Sequence, residues 1–133
     1  MKRIVCLLLC CMITCGLCCG CGETPEEREA RITKAVQDKI ELLIQENSTD
    51  EAVEFFNMMT DKQWSYYRSK DESIEYVELT GTITYIISIP VNIKFHISNN
   101  KDTGKDYMSK MEGSIMGEYD STEFPYNNMT VIE

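Results

Sequence analysis

The most reactive side chains of this chain are its seven cysteines, and all of them lie within the first twenty-one positions. Cys15, Cys18 and Cys21 repeat at the Cys-x-x-Cys spacing, which elsewhere indicates a zinc site or a redox pair. Here the cysteines belong to an apolar stretch, where a thiol behaves as a small hydrophobic group. The only histidine, His96, is distant in the sequence. We therefore predict no metal site, no redox chemistry and no cofactor.

Acid–base and nucleophilic chemistry have little support in the remaining residues. His96 lies on the polar side of a predicted strand, between Lys94 and Ser98, which favours an exposed structural histidine over a general base. No serine occupies a Gly-x-Ser-x-Gly turn, and the glycines form no phosphate-binding loop. We expect no catalytic residues, and a binding role is favoured over an enzymatic one.

The densest aromatic group is Trp64, Tyr66 and Tyr67. Aromatic side chains that carry a polar tip commonly line ligand pockets, so we predict a ligand-binding site here, where helices meet the sheet. The alternative is that the three rings pack in the core with their polar ends at the surface.

The cysteine-rich start of the chain has the organisation of a secretory signal. Lys2 and Arg3 precede an uncharged apolar run of fourteen residues, Ile4 to Leu17. That length suits a signal peptide and is short for a spanning helix, which needs about 20 residues. Cys21 follows a small residue, Gly20, and precedes a polar segment. An uncleaved membrane anchor is the alternative.

These twenty-one residues resemble a bacterial lipoprotein signal peptide. The resemblance implies that Cys21 receives a diacylglyceryl thioether and a fatty acid such as palmitate, and becomes the mature N-terminus. Cys18 and Cys19 compete for this role, but Leu17 is bulky for the cleavage pocket before them. The position three residues before Cys21 is Cys18, where the family usually has leucine. The resemblance implies a protein of the cell envelope, held at the extracytoplasmic face of the cell membrane by its lipid.

Length and charge restrict the number of domains and the kinds of partner that the chain beyond the signal peptide can have. Removing residues 1–20 from 133 leaves 113, which is enough for one domain. We predict a signal peptide at 1–20, a lipidated cysteine with a short linker at 21–24 and a single domain at 25–133. The full chain has a net charge of −9. Such acidity opposes nucleic acid and anionic lipid headgroups, so the predicted partners are the membrane through the anchor and an unknown protein or small molecule.

The first part of the predicted domain has helical patterns. Thr24, Pro25 and Glu27 form a capping box, and apolar residues then recur at helical spacing to predict a helix over 25–45. Ser48 with Glu51 predicts a second helix that ends near Met58. Thr60 with Gln63 predicts a third, short helix that ends near Arg68.

From Val77 to Ile97 the period changes to two, because the apolar residues occupy odd positions. A straight strand of this length would span about 70 Å, so the chain must turn back. The constant parity requires a loop with an odd number of residues or a compensating bulge, and Pro90 favours a turn at Ser88–Pro90. A third strand is predicted between Tyr107 and Tyr119, and a short last one at 129–132.

Together these elements predict an α+β fold in which N-terminal helices pack on one face of a three- or four-stranded antiparallel sheet. The order of elements is similar to cystatin-like and nuclear-transport-factor-like folds. The predicted function is that of a membrane-tethered extracytoplasmic lipoprotein with a non-catalytic binding role. A small enzyme with a pocket between helices and sheet, or a structural envelope component, is the alternative.

Overall fold

The computed structural model describes residues 22–46 and 51–132. The chain divides into two compact units, Met1–Ala30 and Arg31–Glu133. The predicted signal peptide, with Cys21, and the predicted capping box of Ser48 lie outside the described residues. In the described part of the first unit, the side chain of Arg28 pairs with Glu23 at 3.3 Å.

Two helices are described, α1 at Pro25–Glu46 and α2 at Glu51–Met58. The capping box that was predicted for α1 is confirmed. The backbone N–H of Glu27 donates to Oγ1 of Thr24 at 3.2 Å, and the N–H of Thr24 donates back to the Glu27 carboxylate at 2.9 Å. Two of the amides that a helix start leaves unpaired are thereby satisfied. No helix in the described part of the chain combines the length and apolarity needed to span a membrane.

In the described part of the chain, five strands form one antiparallel sheet in sequence order: β1 at Met59–Arg68, β2 at Glu75–Thr84, β3 at Ser88–Asn99, β4 at Asp106–Ile115 and β5 at Glu118–Glu123. Each strand pairs with the next through a tight connection, which makes the sheet a simple meander. The buried, inner face carries Val77, Leu79 and Phe95, and the outer face carries the residues between them.

The predicted third helix is wrong, because its residues form β1. Trp64 lies opposite Leu79 and Tyr66 opposite Val77 on β2. The capping pattern at Thr60 and Gln63 did not produce a helix, because these residues pair with β2 instead. Aromatic residues such as those that follow favour a pleated, half-buried surface. The pairing register slips between Thr60 and Gln63, where Asp61 has a φ of 53°.

The predicted fold class is also wrong. The described residues contain a five-stranded sheet with one long and one short helix, rather than two or three helices over three or four strands. The analogy with cystatin-like and nuclear-transport-factor-like folds depended on that order of elements, so it is wrong as well.

The hairpin between β2 and β3 confirms the predicted parity and corrects its turn. Thr84 pairs with Ser88, so the loop is Tyr85–Ile87 and has an odd number of residues. Pro90 lies within β3 instead of ending it. The first residue of β3 that pairs with β4 is Val91. Pro90 therefore has no β4 ladder beside it, which is the edge-like setting where proline is tolerated.

The hydrophobic core joins one stripe of α1 to the inner face of the sheet. Ile32, Val36 and Ile40 of α1 belong to the same buried cluster as the β2 and β3 side chains. Of the odd apolar positions from Val77 to Ile97 that were predicted to be buried, seven are confirmed: Val77, Leu79, Ile83, Val91, Ile93, Phe95 and Ile97. Tyr85 and Ile87 are instead exposed in the hairpin loop, and Ile89 is half-buried near the start of β3.

The region predicted as a third strand is instead a hairpin of two strands, β4 and β5. Ile115 pairs with Glu118, which leaves the two-residue turn Met116–Gly117. Both turn residues have positive φ, 53° and 81°. That conformation matches the twist of a tight hairpin, and glycine adopts it without steric cost. The predicted last strand is reduced to a single bridge between Tyr107 and Val131.

Candidate functional site

Among the residues that the structure describes, none covers the inner face of the sheet along the end of β4 and along β5. An apolar groove of about 900 Å³ lies there, between α2 and strands β3, β4 and β5. Its volume is within the range of ligand sites in proteins. The groove is lined by Phe55, Phe56, Val91, Ile93, Met111, Gly113, Ile115, Met116 and the β5 residues Glu118, Tyr119, Asp120, Ser121 and Thr122.

Gly113 forms the floor of this groove because it has no side chain. It lies opposite Ile93 on β3 and Asp120 on β5, so a side chain at this position would point to the inner face. A Cβ built there meets no atom of residues 22–46 and 51–132 within 4 Å. The space above Gly113 is therefore open, and any larger residue at this position would occupy it.

One rim of the groove is acidic and the facing wall is aromatic. Glu118 lies opposite Ile115 and Asp120 opposite Gly113, so both carboxylates share the inner face with the groove floor. Phe55 and Phe56 form the other side, with ring centroids 6.2 Å apart. None of the described lining residues is lysine, arginine or histidine.

A polar network covers the opposite, outer face of the same two strands. The Glu112 carboxylate accepts hydrogen bonds from Lys110 and from the Tyr119 hydroxyl, and these lower the pKa of Glu112 to about 2. The same contacts raise the pKa of Lys110 and of Tyr119. The network therefore joins β4 to β5 through an ionised carboxylate.

His96 lies on this outer face, as the sequence predicts. Its Nε2 atom is 3.0 Å from Oε2 of Glu112. The two groups are therefore in contact on the outer face, and His96 adds to the influences of Lys110 and Tyr119 that lower the pKa of Glu112. The ring also contacts Tyr76, with centroids 5.5 Å apart. The imidazole and the groove are thus on opposite faces of the sheet.

The structure divides the aromatic group that was predicted to bind a ligand. Trp64 stacks on Phe95 with ring centroids 6.0 Å apart, and it packs against the core together with Tyr66. Tyr67 is on the other face, where it stacks on Tyr76 at 5.0 Å. Trp64, Tyr66 and Tyr67 therefore do not converge on one surface, and none of them lines the groove. A role for them in binding stays a prediction.

One acid on the inner face was not predicted from the sequence. Glu75 is 7% exposed and accepts a hydrogen bond of 2.5 Å from the Tyr66 hydroxyl. Arg68 lies 3.5 Å from the same carboxylate. The odd position of Glu75, two residues before Val77, was the available signal. Because an adjacent phenol and a guanidinium satisfy this carboxylate, its arrangement fits a structural ion pair.

The groove was also missed, because its parts are far apart in the sequence. Phe55 is on α2, Ile93 on β3 and Asp120 on β5. Within residues 22–46 and 51–132, no three cysteine, histidine or acidic side chains come together as metal ligands. No protein-family model, curated protein or solved structure matches this chain.

Proposed function

We propose that the chain is a membrane-tethered extracytoplasmic lipoprotein whose folded part binds a partner or ligand in the groove beside Gly113. The tether is the lipid on Cys21, proposed from the signal-like order of Lys2, Arg3, the apolar run and the small residues before Cys21. The single observation that carries the binding role is the uncovered apolar floor of the sheet next to α2.

Exposed apolar surface supports binding because it is costly to leave in water. Burial of apolar area stabilises a contact by roughly 25 cal/mol per Å². Most of the inner face is buried by the chain itself, yet Ile115 and Met116 remain 39% and 66% exposed at the groove. Exposed patches of this kind on a monomer commonly mark interaction sites.

Binding is preferred to catalysis because the groove lacks the groups that chemistry would use. Its described lining contains no histidine and no cysteine, and the hydroxyl of Tyr119 is directed to Glu112 on the outer face. The His96–Glu112 contact is on the other face of the sheet, so it cannot act on a molecule held in the groove. The remaining alternative, a purely structural envelope component, would need no occupant in the groove.

The tether is tested by metabolic labelling with a fatty-acid analogue. We expect the wild-type chain to carry the label and Cys21→Ser to lose it, while Cys18→Ser keeps it. Equal labelling of wild type and Cys21→Ser would contradict lipidation at this residue.

The groove is tested with an uncharged, photoreactive apolar probe added to membranes that contain the full chain. We expect the probe to label wild type, and Gly113→Leu to lose at least about four-fifths of the label, because the new side chain fills the floor. Ser114→Leu is the matched control, since it places the same side chain on the outer face of the same strand. Equal labelling of all three proteins would contradict the groove as a binding site.

A further inference from the structure

The charge around the groove is one-sided, which restricts the chemistry of its occupant. Glu118 and Asp120 are on the inner face of β5, and the described lining offers no cationic side chain. The whole chain adds to this effect, because its net charge is −9. A negatively charged occupant would meet two carboxylates and a repulsive field, whereas a positively charged one is attracted during approach and in the complex.

The spacing of the two acids fits a helical occupant. Glu118 and Asp120 are two residues apart on one strand, so their Cα atoms are separated by roughly 6.6 Å. Side chains four residues apart on one face of an α-helix are about 5–6 Å apart. Two lysines or arginines at positions i and i+4 of a helix would therefore reach both carboxylates together.

The length of the apolar floor fits the same occupant. From Met111 to Ile115 the strand rises roughly 13 Å, which is the length of about nine helical residues. Phe55 and Phe56 belong to α2, which leads directly into β1 at the edge of the sheet opposite β5. An amphipathic helix laid along the floor would place its apolar stripe over Gly113 and against the two phenylalanines, with its basic side chains toward β5.

We propose that the groove binds a cationic amphipathic helix of a partner protein or peptide. This inference rests on the proposed function and adds the chemistry of the ligand: an apolar face that enters the groove and two basic residues one turn apart that pair with Glu118 and Asp120. Such binding would depend on ionic strength, because both acids are exposed and surface pairs are screened by salt.

The test uses the full chain in the membranes of the cells that express it, and two photoreactive peptides. Both peptides are 14-residue amphipathic helices with leucines on one face, and the other face carries lysine in one peptide and glutamate in the other. We expect the lysine peptide to label wild type at least fivefold more than the glutamate peptide, and 1 M NaCl to remove most of this difference.

Three variants separate the apolar contribution to peptide binding from the electrostatic contribution. Gly113→Leu should reduce labelling by the lysine peptide at least fivefold, and Ser114→Leu should leave it unchanged. The double change Glu118→Gln and Asp120→Asn should reduce it about threefold or more without affecting the uncharged apolar probe. Resistance of each variant to trypsin in the same membranes checks that the fold is retained.

The outcomes distinguish this inference from the proposed function. Equal labelling by both peptides, with both lost in Gly113→Leu, would overturn the cationic ligand and leave the groove as a binding site. Labelling by either peptide that is unaffected in Gly113→Leu would overturn the helix in this groove. A bifunctional cross-linker that yields a dimer only when Gly113 is present would also overturn it, because the occupant would then be a second copy of this chain.

Discussion

The two ends of the inner sheet face carry different inward residues and end in different states. Those of β2 and β3 are mostly aliphatic or aromatic, whereas those at the end of β4 and on β5 include Gly113, Glu118 and Asp120. On β2 and β3 the inward side chains are buried under α1, and Leu79 and Phe95 are each 1% exposed. On the end of β4 and on β5 the inward residues remain accessible, and the structure assigns no buried residue to β5. We call these regions the covered half and the open half. The comparison teaches that alternating apolar residues covered by α1 become core, whereas inward positions that hold a glycine and acids form the accessible surface.

The glycines of the two halves show the same contrast. At Gly81 in the covered half, an added Cβ would lie 2.5 Å from Cγ of Met59 and 3.0 Å from the carbonyl oxygen of Thr60. At Gly113 in the open half it would meet no atom of the described residues within 4 Å. Gly81 therefore allows two chain segments to approach closely, whereas Gly113 leaves space for another molecule.

The largest expected effect compares core truncations in the two halves. Phe95→Ala should lower the free energy of unfolding by about 3–5 kcal/mol, because it leaves a cavity in a filled core. Ile115→Ala should cost about 1 kcal/mol or less, since its side chain is already 39% exposed. Urea unfolding of the two variants and wild type measures both values. Similar losses in the two variants would remove the distinction between the halves.

A smaller effect is expected from the same substitution at the two glycines. Gly81→Val should destabilise the fold by about 1–3 kcal/mol, since Met59 and the Thr60 backbone must move. Gly113→Val should be neutral or stabilising by up to about 1 kcal/mol, because valine suits a strand and nothing obstructs it. Thermal melts of the two variants show whether each substitution raises or lowers the stability of the fold. Destabilisation by Gly113→Val equal to that by Gly81→Val would show that the open half is filled.

The open half should also be the more sensitive to acid. The pKa of Glu112 is about 2 in the folded chain, against an ordinary value of 4.5, because Lys110 and Tyr119 donate hydrogen bonds to the carboxylate. A lowered folded pKa gives stability that is present above pH 4.5 and is lost as the pH falls toward 2. Hydrogen exchange at about pH 6 and about pH 3 should therefore show that β5 amides lose protection before those of β2 and β3.

Glu112→Gln provides the control for this pH dependence. The neutral amide cannot be protonated in this range, so the loss of β5 protection between the two pH values should be smaller in the variant than in wild type. An unchanged difference would show that Glu112 does not hold β5 to β4.

The smallest expected effect is a shift in tryptophan fluorescence when a ligand binds. Trp64 is the only tryptophan of the chain, and it stacks on Phe95 in the covered half. A ligand in the groove should therefore shift Trp64 emission by only about 1–2 nm, since burial already excludes water from much of the ring. The variant Ile115→Trp in a Trp64→Phe background places the reporter in the groove and should show a larger shift. A large Trp64 shift in wild type would instead support the aromatic site predicted from Trp64, Tyr66 and Tyr67.

Local signals predicted most of the elements well. The start of α1 at Pro25 followed from a capping box, whose partners are only three residues apart. The buried parity of β2 and β3 followed from a period of two, because side chains of a strand alternate between faces whatever its partner is.

Predictions that depended on a distant partner were the ones that changed. Residues 60–68 carried a helix-start signal and formed a strand, because pairing with β2 outweighed the local preference. Pro90 was predicted to lie in a turn at Ser88–Pro90 and instead lies inside β3, where it is tolerated because β4 stops one residue short of it. Both outcomes depend on the order and length of neighbouring strands, which no local pattern contains.

By itself the sequence determined the acidic charge, the confinement of cysteine to the first twenty-one residues, the long helix and the parity of the central strands. These properties follow from composition or from contacts a few residues apart. Only the tertiary structure decided that Gly113 faces open space and that Glu118 and Asp120 share its face of the sheet. The same register places His96 on the opposite face. The groove is made by residues from α2, β3, β4 and β5, so it exists only when the sheet's register brings them to one surface.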